Sequence, residues 1–271
     1  MTVILFWNTK RNAVHDDIGT MCRDHAVDIL VLAETEVSQP VLLRNLNTGG
    51  QFGYHEFTRE SRRIRFFSRI PPEYVTVVYE DAGASIADVN PPIGRRLLVV
   101  GAHLRSKMWA EIQDHRLQAE TLATKITELE GRYNHKNTLV IGDLNMNPFE
   151  EPMVAANGFH AVMSRHIAQK LSRKVQGRQW DYFYNPMWSL LGDESRGPPG
   201  TFFRRESGVS GYFWHMFDQV LIRPALLDAF AFENMHVLTN TGLRDICDGE
   251  TIDANVSDHL PLVVRLSTGG F

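Results

Sequence analysis

Short apolar runs, each closed by a polar residue, recur along this chain, and they constrain its fold more than any other feature. Residues 3–7 lead into Asn8, 28–32 into Glu34, 96–102 into His103 and 137–141 into Asp143. The run 260–266 has Asp258 at its leading edge. Further runs cover 63–67, 74–79, 201–204 and 217–222. They are rich in β-branched and aromatic residues, and several are bounded by Gly, Pro, Asn or Asp, which predicts strands. Two segments read as helices. Over 107–130, Met108, Ile112, Leu122, Ile126 and Leu129 recur at helical spacing with charges between them, and Gly131 supplies a stop. Residues 12–25 read as a second helix leading into the strand at 28–32. Many strands with few helices predict an α/β fold of two sheets packed face to face, with helices outside. Open sheets gather their sites at strand ends and in the loops that follow. Asn8, Glu34, His103, Asp143 and Asp258 are therefore expected to converge at one edge.

A chain of 271 residues with 43% hydrophobic content can bury one large core. No internal repeat and no Pro/Gly/Ser linker divides it, so one domain over 1–271 is expected. The net charge of −4 and pI near 6.3 argue against a general nucleic-acid coating protein, while leaving room for a local basic groove. Cys22 and Cys247 are the only cysteines, which suits two thiols in a reduced compartment rather than a disulfide framework. The opening residues 1–8 read as a first strand rather than a signal peptide, and no run reaches membrane-spanning length. The expectation is a soluble, cytoplasmic protein with no membrane span.

Four segments carry the chemistry. In 138–148, an apolar strand ends at Gly142, where the missing Cβ permits a tight turn, and Asp143 and Asn145 follow two apart. A carboxylate can accept a proton from water, and an amide can donate to a phosphoryl oxygen without adding charge. The competing account is a turn in which Asp and Asn bond their own backbone. In 255–262, Asp258 can hold a cation, and His259 can bind or protonate a phosphate. Such a histidine needs an orienting partner, and Asp218, at the edge of an apolar run, is a candidate. In 99–107, His103 follows a strand, and Arg105 and Lys107 nearby suit an anion. In 29–36, Glu34 ends a nearly continuous apolar run, where a carboxylate is expensive unless a cation or donor meets it; Glu36 reads as solvated.

Together these segments resemble the endonuclease/exonuclease/phosphatase superfamily, with its deoxyribonuclease I-like fold, in order along nearly the whole chain. Trp7-Asn8 is similar to the opening Asn motif, and Leu32-Ala33-Glu34 to the segment with the metal-binding Glu. Ala102-His103-Leu104 resembles Thr-His-Leu, with Ala for Thr, and Gly142-Asp143-Leu144-Asn145 resembles Gly-Asp-Phe-Asn, with Leu for Phe. Phe217-Asp218-Gln219-Val220 resembles the Asp-Tyr-Ile segment, and Ser257-Asp258-His259 matches the terminal Ser-Asp-His. The resemblance implies a four-layered α/β sandwich, two packed mixed β-sheets flanked by helices, with the site at one edge. It implies Glu34 as principal Mg²⁺ ligand, helped by Asn8 and Asp258, with Mn²⁺ an alternative; an oxygen-rich ligand set suits either ion better than Zn²⁺. Either Asp143 or His259 would activate water. Asn145 and His259 would contact the phosphate, and Asp218 would orient His259; Arg105, read from its own segment, is the further phosphate-binding candidate. His103 would be the second histidine of the deoxyribonuclease I and sphingomyelinase branches, an acid or phosphate ligand, and points away from an abasic-site repair enzyme.

The expected activity is metal-dependent hydrolysis of a phosphate ester, first of all a phosphodiester in nucleic acid. A small nucleotide, phosphoinositide or sphingomyelin-type headgroup is the alternative substrate, and an inactive binding module of the same fold is the non-enzymatic one. Basic residues group in an acidic chain: Arg59, Arg62, Arg63, Arg65 and Arg69; Arg165, Lys170, Arg173, Lys174 and Arg178; Arg204 and Arg205. Phe66 and Phe67, and Phe202 and Phe203, interleave with two of these groups and either fill core or stack bases.

Overall fold

The computed structural model describes residues 1–50, 53–58, 63–106, 112–205 and 211–268. In chain order its strands are β1 (Thr2–Asn8), β2 (Ile29–Ala33), β3 (His55–Glu56), β4 (Ile64–Ser68), β5 (Val75–Glu80), β6 (Ala84–Val89), β7 (Leu97–His103), β8 (Thr138–Asp143), β9 (Ala161–Val162), β10 (Ser172–Val175), β11 (Arg178–Asp181), β12 (Phe183–Tyr184), β13 (Phe202–Phe203), β14 (Trp214–His215), β15 (Asp218–Ile222), β16 (Phe230–Val237) and β17 (Leu262–Leu266). The helices are α1 (His15–Asp24), α2 (Gln39–Leu46), α3 (Ile112–Tyr133), α4 (Glu151–Val154) and α5 (Arg165–Ala168).

Two mixed sheets form the body. One has the order β16-β17-β1-β2-β4-β3, the other β5-β6-β7-β8-β15-β12-β9. Alternation along the strands sorts their side chains into three cores. Ile4 and Phe6 of β1, Val31 of β2, Val99 of β7, Ile141 of β8 and Val220 of β15 meet between the sheets. The opposite face of the first sheet buries Leu5, Trp7, Leu30 and Leu32 against Ile18 and Met21 of α1 and Leu42 of α2. The opposite face of the second buries Leu98, Val100 and Val140 under Leu122, Ile126 and Leu129 of α3. The result is a four-layered α/β sandwich, as the strand-rich pattern predicts.

Strand direction brings the polar residues together. β1 and β2 are parallel, as are β7 and β8, so Asn8, Glu34, His103 and Asp143 leave their strands at one edge. β15 and β17 run antiparallel to β8 and β1, so Asp218, at the start of β15, and His259, just before β17, reach the same edge from the other direction.

Several local expectations change. Gly131 does not stop α3, which continues to Tyr133; Asn134 ends it in the left-handed conformation at φ 55°. Ile112 is exposed rather than part of the buried stripe. Lys107 and Met108, placed in this helix by the sequence, lie outside the described residues, as do Arg59 and Arg62. Helix α1 begins at His15, not at residue 12. The predicted strand at 201–204 shrinks to a two-residue pairing with β14. Gly142 is not a turn residue: β8 runs through it, and a Cβ there would stand 2.0 Å from the Ala102 carbonyl oxygen of the neighbouring strand.

Candidate active site

One carboxylate oxygen organises the polar edge. Asp143 Oδ2 accepts a hydrogen bond from the Asn8 side-chain amide at 3.0 Å, which ties the two sheets together. The Nε2 atoms of His103 and of His259 each lie 3.7 Å from the same oxygen. Asn8, His103, Asp143 and Asp218 sit in register with residues that fill the inter-sheet core, such as Phe6, Val99, Ile141 and Val220. The site is thus the polar end of that core, and period-two alternation delivers its side chains.

His259 is held on several sides. Its Nδ1 lies 2.8 Å from Asp218 Oδ2 and 3.1 Å from Oδ1. Asp218 is fully buried, and its backbone N–H donates to Thr201 Oγ1 at 2.9 Å. The His259 carbonyl accepts from Trp7 Nε1, its backbone N–H donates to Ser257 Oγ, and Ser257 Oγ in turn donates to the Asn8 carbonyl. Phe202 packs on the imidazole at 4.7 Å between centroids. Burial opposes a charge on His259, but Asp218 and Asp143 outweigh it and push its pKa up to about 10. Burial raises the Asp218 carboxyl to about 6, against the opposing pull of His259. The two anions thus favour the imidazolium form of His259. His103 behaves oppositely. Burial lowers its pKa, helped by His259 and Arg63, although Asp143 and Glu34 pull the other way. Two imidazoles of opposed protonation preference thus flank one carboxylate, the pattern of an acid–base site.

Glu34 lies beside this centre, its Oε1 3.3 Å from His103 Nε2. Its backbone is left-handed at φ 46°, an unusual state for a Glu that stores about 1–3 kcal/mol of strain. The loop after β1 holds it there: Arg11 N–H and Thr9 Oγ1 both donate to the Glu34 carbonyl, at 2.7 and 2.9 Å. Asn145 is also left-handed, at φ 52°. Its backbone N–H donates to Asp143 Oδ1 at 2.9 Å and its side-chain amide donates to the Leu104 carbonyl at 3.0 Å. The Asx turn weighed against catalysis therefore exists, and it coexists with an Asp143 whose second oxygen faces the histidines. Asp258 stands at the rim, paired with Lys10 at 3.2 Å. Arg105 is exposed beside His103.

The donor set suits a hard divalent cation. Asp143, Asp218 and His259 offer ligand atoms within 4.8 Å of one another. Asp218 is spent on His259, so the remaining oxygen donors are those of Asp143, Glu34 and the Asn8 amide, the last also accepting from the Lys10 N–H at 3.0 Å, and all are chemically appropriate to Mg²⁺ or Mn²⁺. The His103 Nδ1 is buried with no hydrogen-bond partner among the described residues, a polar atom that the protein alone leaves unsatisfied.

The basic groups separate in space. Arg63 lies at the polar edge, whereas Arg65 pairs with Glu56, and Arg69 pairs with Asp28 at the far end of β2. Arg173, Lys174 and Arg178 occupy the β10–β11 ribbon. That ribbon lies by Tyr182, whose carbonyl bonds Arg223 beyond the end of β15 and beside the start of β8. It is at the end of the sheet opposite Asp143. Phe66 and Phe67 are core. The supporting residues Thr9 and Thr201 escaped sequence reasoning, because a Thr at the end of an apolar run looks like ordinary strand; Trp7 was visible within Trp7-Asn8 and Ser257 within Ser-Asp-His.

An α/β sandwich with this carboxylate–imidazole edge defines a phosphoesterase class. The sequence matches the Endonuclease/Exonuclease/phosphatase family over residues 5–259, and the chain belongs to that family. Members of the family are hydrolases of phosphoesters and are generally dependent on divalent metal. No relative was found among curated proteins. Solved structures share the fold. D. rerio TDP2 complexed with single-strand DNA product is 17% identical, with 98% of each chain covered and a TM-score of 0.57. An AP endonuclease from Archaeoglobus fulgidus is 15% identical, covers 98% of this chain and 99% of its own, and has a TM-score of 0.57. The Neisseria 3′ phosphatase NExo bound to product DNA hairpin is 16% identical, with the same coverage and a TM-score of 0.55. No helix among the described residues is long and apolar enough to cross a membrane.

Proposed function

We propose that this chain is a Mg²⁺-dependent phosphodiesterase that hydrolyses nucleic acid. The observation that carries the reading is Asp143 Oδ2, set between two imidazoles of opposed charge preference. A protonated His259 has no lone pair to offer, so Asp143 takes the proton of the attacking water. As the water oxygen bonds to phosphorus, the ester P–O bond breaks and the leaving oxygen takes a proton from solvent. His259, oriented by Asp218, donates from Nε2 to a phosphoryl oxygen, and Asn145 donates with the amide hydrogen not used on Leu104. Glu34 and Asn8 would hold the cation, with Asp258 at the rim and Mn²⁺ as a substitute ion. The bound cation supplies Lewis-acid stabilisation of negative charge on the phosphoryl group.

Nucleic acid is favoured over a small headgroup by what surrounds the edge. Arg204 and Arg205 are exposed there, as are the aromatic rings of Phe149, Tyr212 and Phe213. Rings continue outward from His259 through Phe202, His215, Tyr212 and Phe149, neighbouring centroids lying 4.7 to 6.2 Å apart. Aromatic faces interleaved with arginine suit unpaired bases. The DNA products in the TDP2 and NExo structures agree with this choice. The test is Mg²⁺-dependent degradation of single- and double-stranded DNA and RNA, alongside lipid headgroups and small nucleotides. Asp143→Asn and His259→Ala are each expected to lower turnover by roughly 10²-fold or more. Full activity in both variants would overturn the assignment.

A further inference from the structure

A cleft of about 350 Å³ opens beside His103, between the β5–β6 turn, the end of β7 and the first half of α3. Its size lies at the low end of small-ligand pockets. The lining is apolar along Ala84, Leu104, Leu117 and Leu122, and Leu117 presents its side chain at 64% exposure. Arg63 and Arg105 also line this cleft. Both side chains are exposed, and among the described residues neither guanidinium is paired with a carboxylate. The Arg105 backbone is nevertheless fixed: its N–H donates to Gln118 Oε1 at 3.0 Å and its carbonyl meets His115 Nε2 at 2.8 Å. Two carboxylates share the lining. Asp81 is consumed by the turn, accepting from Gly83 and Ala84 N–H and from the Tyr79 hydroxyl. Asp114 lies in the first turn of α3, where the helix dipole favours its charge.

An apolar surface with two unspent guanidiniums, one step from a phosphate-cleaving centre, matches a flat group that carries its own phosphate. We propose that the cleft is the subsite for the nucleotide adjacent to the phosphate under attack, its phosphate held by Arg63 and Arg105 and its base lying on Leu104, Leu117 and Leu122. The proposal rests on the phosphodiesterase reading and adds to it a side of the site, the His103 side, on which the strand continues. Arginine suits this task because its planar fork grips phosphate with two parallel hydrogen bonds.

The experiment separates binding from turnover. Calorimetry in EDTA measures the affinity of the intact protein for a 5′-phosphorylated dithymidine dinucleotide. Arg63→Ala and Arg105→Ala are each expected to raise Kd roughly tenfold, the loss of a charge-assisted contact. Leu117→Glu, which brings a negative charge to the apolar surface, weakens binding as well. Arg178→Ala, at the opposite end of the molecule, leaves Kd unchanged. Circular dichroism verifies that each variant is folded. Unchanged affinity in all three cleft variants, or an equal loss in Arg178→Ala, overturns the subsite. A dinucleoside pyrophosphate offers the same two phosphates. Tighter binding of the dinucleotide supports the strand, and tighter binding of the pyrophosphate overturns that choice of occupant. Thymidine 5′-(4-nitrophenyl phosphate), which carries a single phosphate, reports turnover in Mg²⁺. Its hydrolysis alongside arginine-independent dinucleotide binding removes the subsite and keeps the phosphodiesterase. Arginine-dependent binding without turnover of any ester does the reverse.

Discussion

Asp218 touches no solvent and reaches its effect through one imidazole. A buried carboxylate is tolerated where a partner compensates its lost hydration, and here His259 Nδ1 does so, with the Thr201 side chain also favouring the charged form. Asp218→Asn keeps the shape of the side chain and removes the charge. The His259 pKa, held up to about 10 by Asp218 and Asp143 against burial, is expected to fall. The sign follows from the pairing: losing an anion disfavours the imidazolium, so its deprotonation moves to lower pH. Turnover is expected to drop roughly 10²- to 10⁴-fold, because the proton donor is lost and its tautomer is no longer fixed. NMR titration of the His259 ring checks the first expectation, and steady-state kinetics the second. A His259 titration identical to that of the parent protein would show that Asp218 positions the ring without setting its charge.

At the scale of elements, the site depends on how closely β7 and β8 approach. Gly142 faces the Ala102 backbone so tightly that any Cβ collides with the carbonyl oxygen, and backbone cannot rotate away as a side chain can. Gly101 is different, since its added Cβ would meet the Val31, Phe66 and Ile64 side chains at 2.7 to 3.0 Å across the inter-sheet core. Gly142→Ala is therefore expected to cost about 1–3 kcal/mol or more in denaturant unfolding and to displace Asp143, its neighbour. Gly101→Ala, which side chains can absorb by repacking, should retain more activity. Equal activity in the two variants would contradict this difference. These elements also show what sequence reveals. Asn8, Glu34, His103 and Asp143 were visible because each interrupts or ends an apolar run, and one polar residue in such a run needs a reason. Strand β6 (Ala84–Val89) was not, because its alanines lack β-branching and Asp88 breaks the run; in the fold Arg96 neutralises that aspartate with two hydrogen bonds. Helix α2 escaped for lack of length, since eight residues give barely two turns of periodicity. Phe66 and Phe67 looked adjacent to a basic patch, and only the pairing of Arg65 with Glu56 and Arg69 with Asp28 shows those charges to be structural.

The whole molecule is tied together by buried ion pairs away from the site. Glu130, in α3, takes two hydrogen bonds from Arg223 and one from Thr138, and all three side chains are buried. The Arg223 guanidinium also lies over the Phe183 ring at 3.9 Å and donates to the Tyr182 carbonyl. One group thus fastens the outer helix to β8, β12 and the end of β15. Glu130→Ala leaves an uncompensated buried cation and is expected to cost about 3–5 kcal/mol in equilibrium unfolding. The double variant Glu130→Leu with Arg223→Met removes both charges and is expected to be more stable than the single variant. A double variant that is less stable would mean that the pair contributes through its hydrogen bonds to Tyr182 and Thr138 rather than through mutual compensation.

A second tie makes stability depend on acid. The segment between β16 and β17 carries Asp258 and His259 to the polar edge, and its early part is anchored on α1. Buried Asp17 accepts from the Arg244 guanidinium, with Nε at 2.9 Å, and from Thr241 Oγ1 at 2.7 Å. Asn12 and Asn8 anchor its later part through Val256 and Ser257. Burial pushes the Asp17 carboxyl up, but Arg244 and Thr241 together hold it below its ordinary value. A depressed carboxylate pKa contributes stability that is fully present above the unfolded pKa, about 3.9. That contribution is lost as pH falls through the folded value. Arg244 is half exposed, so solvent screening keeps the contribution modest. Asp17→Asn should accordingly lower stability by a constant amount above about pH 5, where the unfolded carboxyl is ionised. The gap to the parent protein should begin to narrow as pH falls below about 4 and close only below the depressed folded value, where both chains carry a neutral group at this position. Denaturant unfolding of the two proteins across pH 3 to 7 measures that gap, and parallel curves down to the lowest pH would remove Asp17 from the acid response.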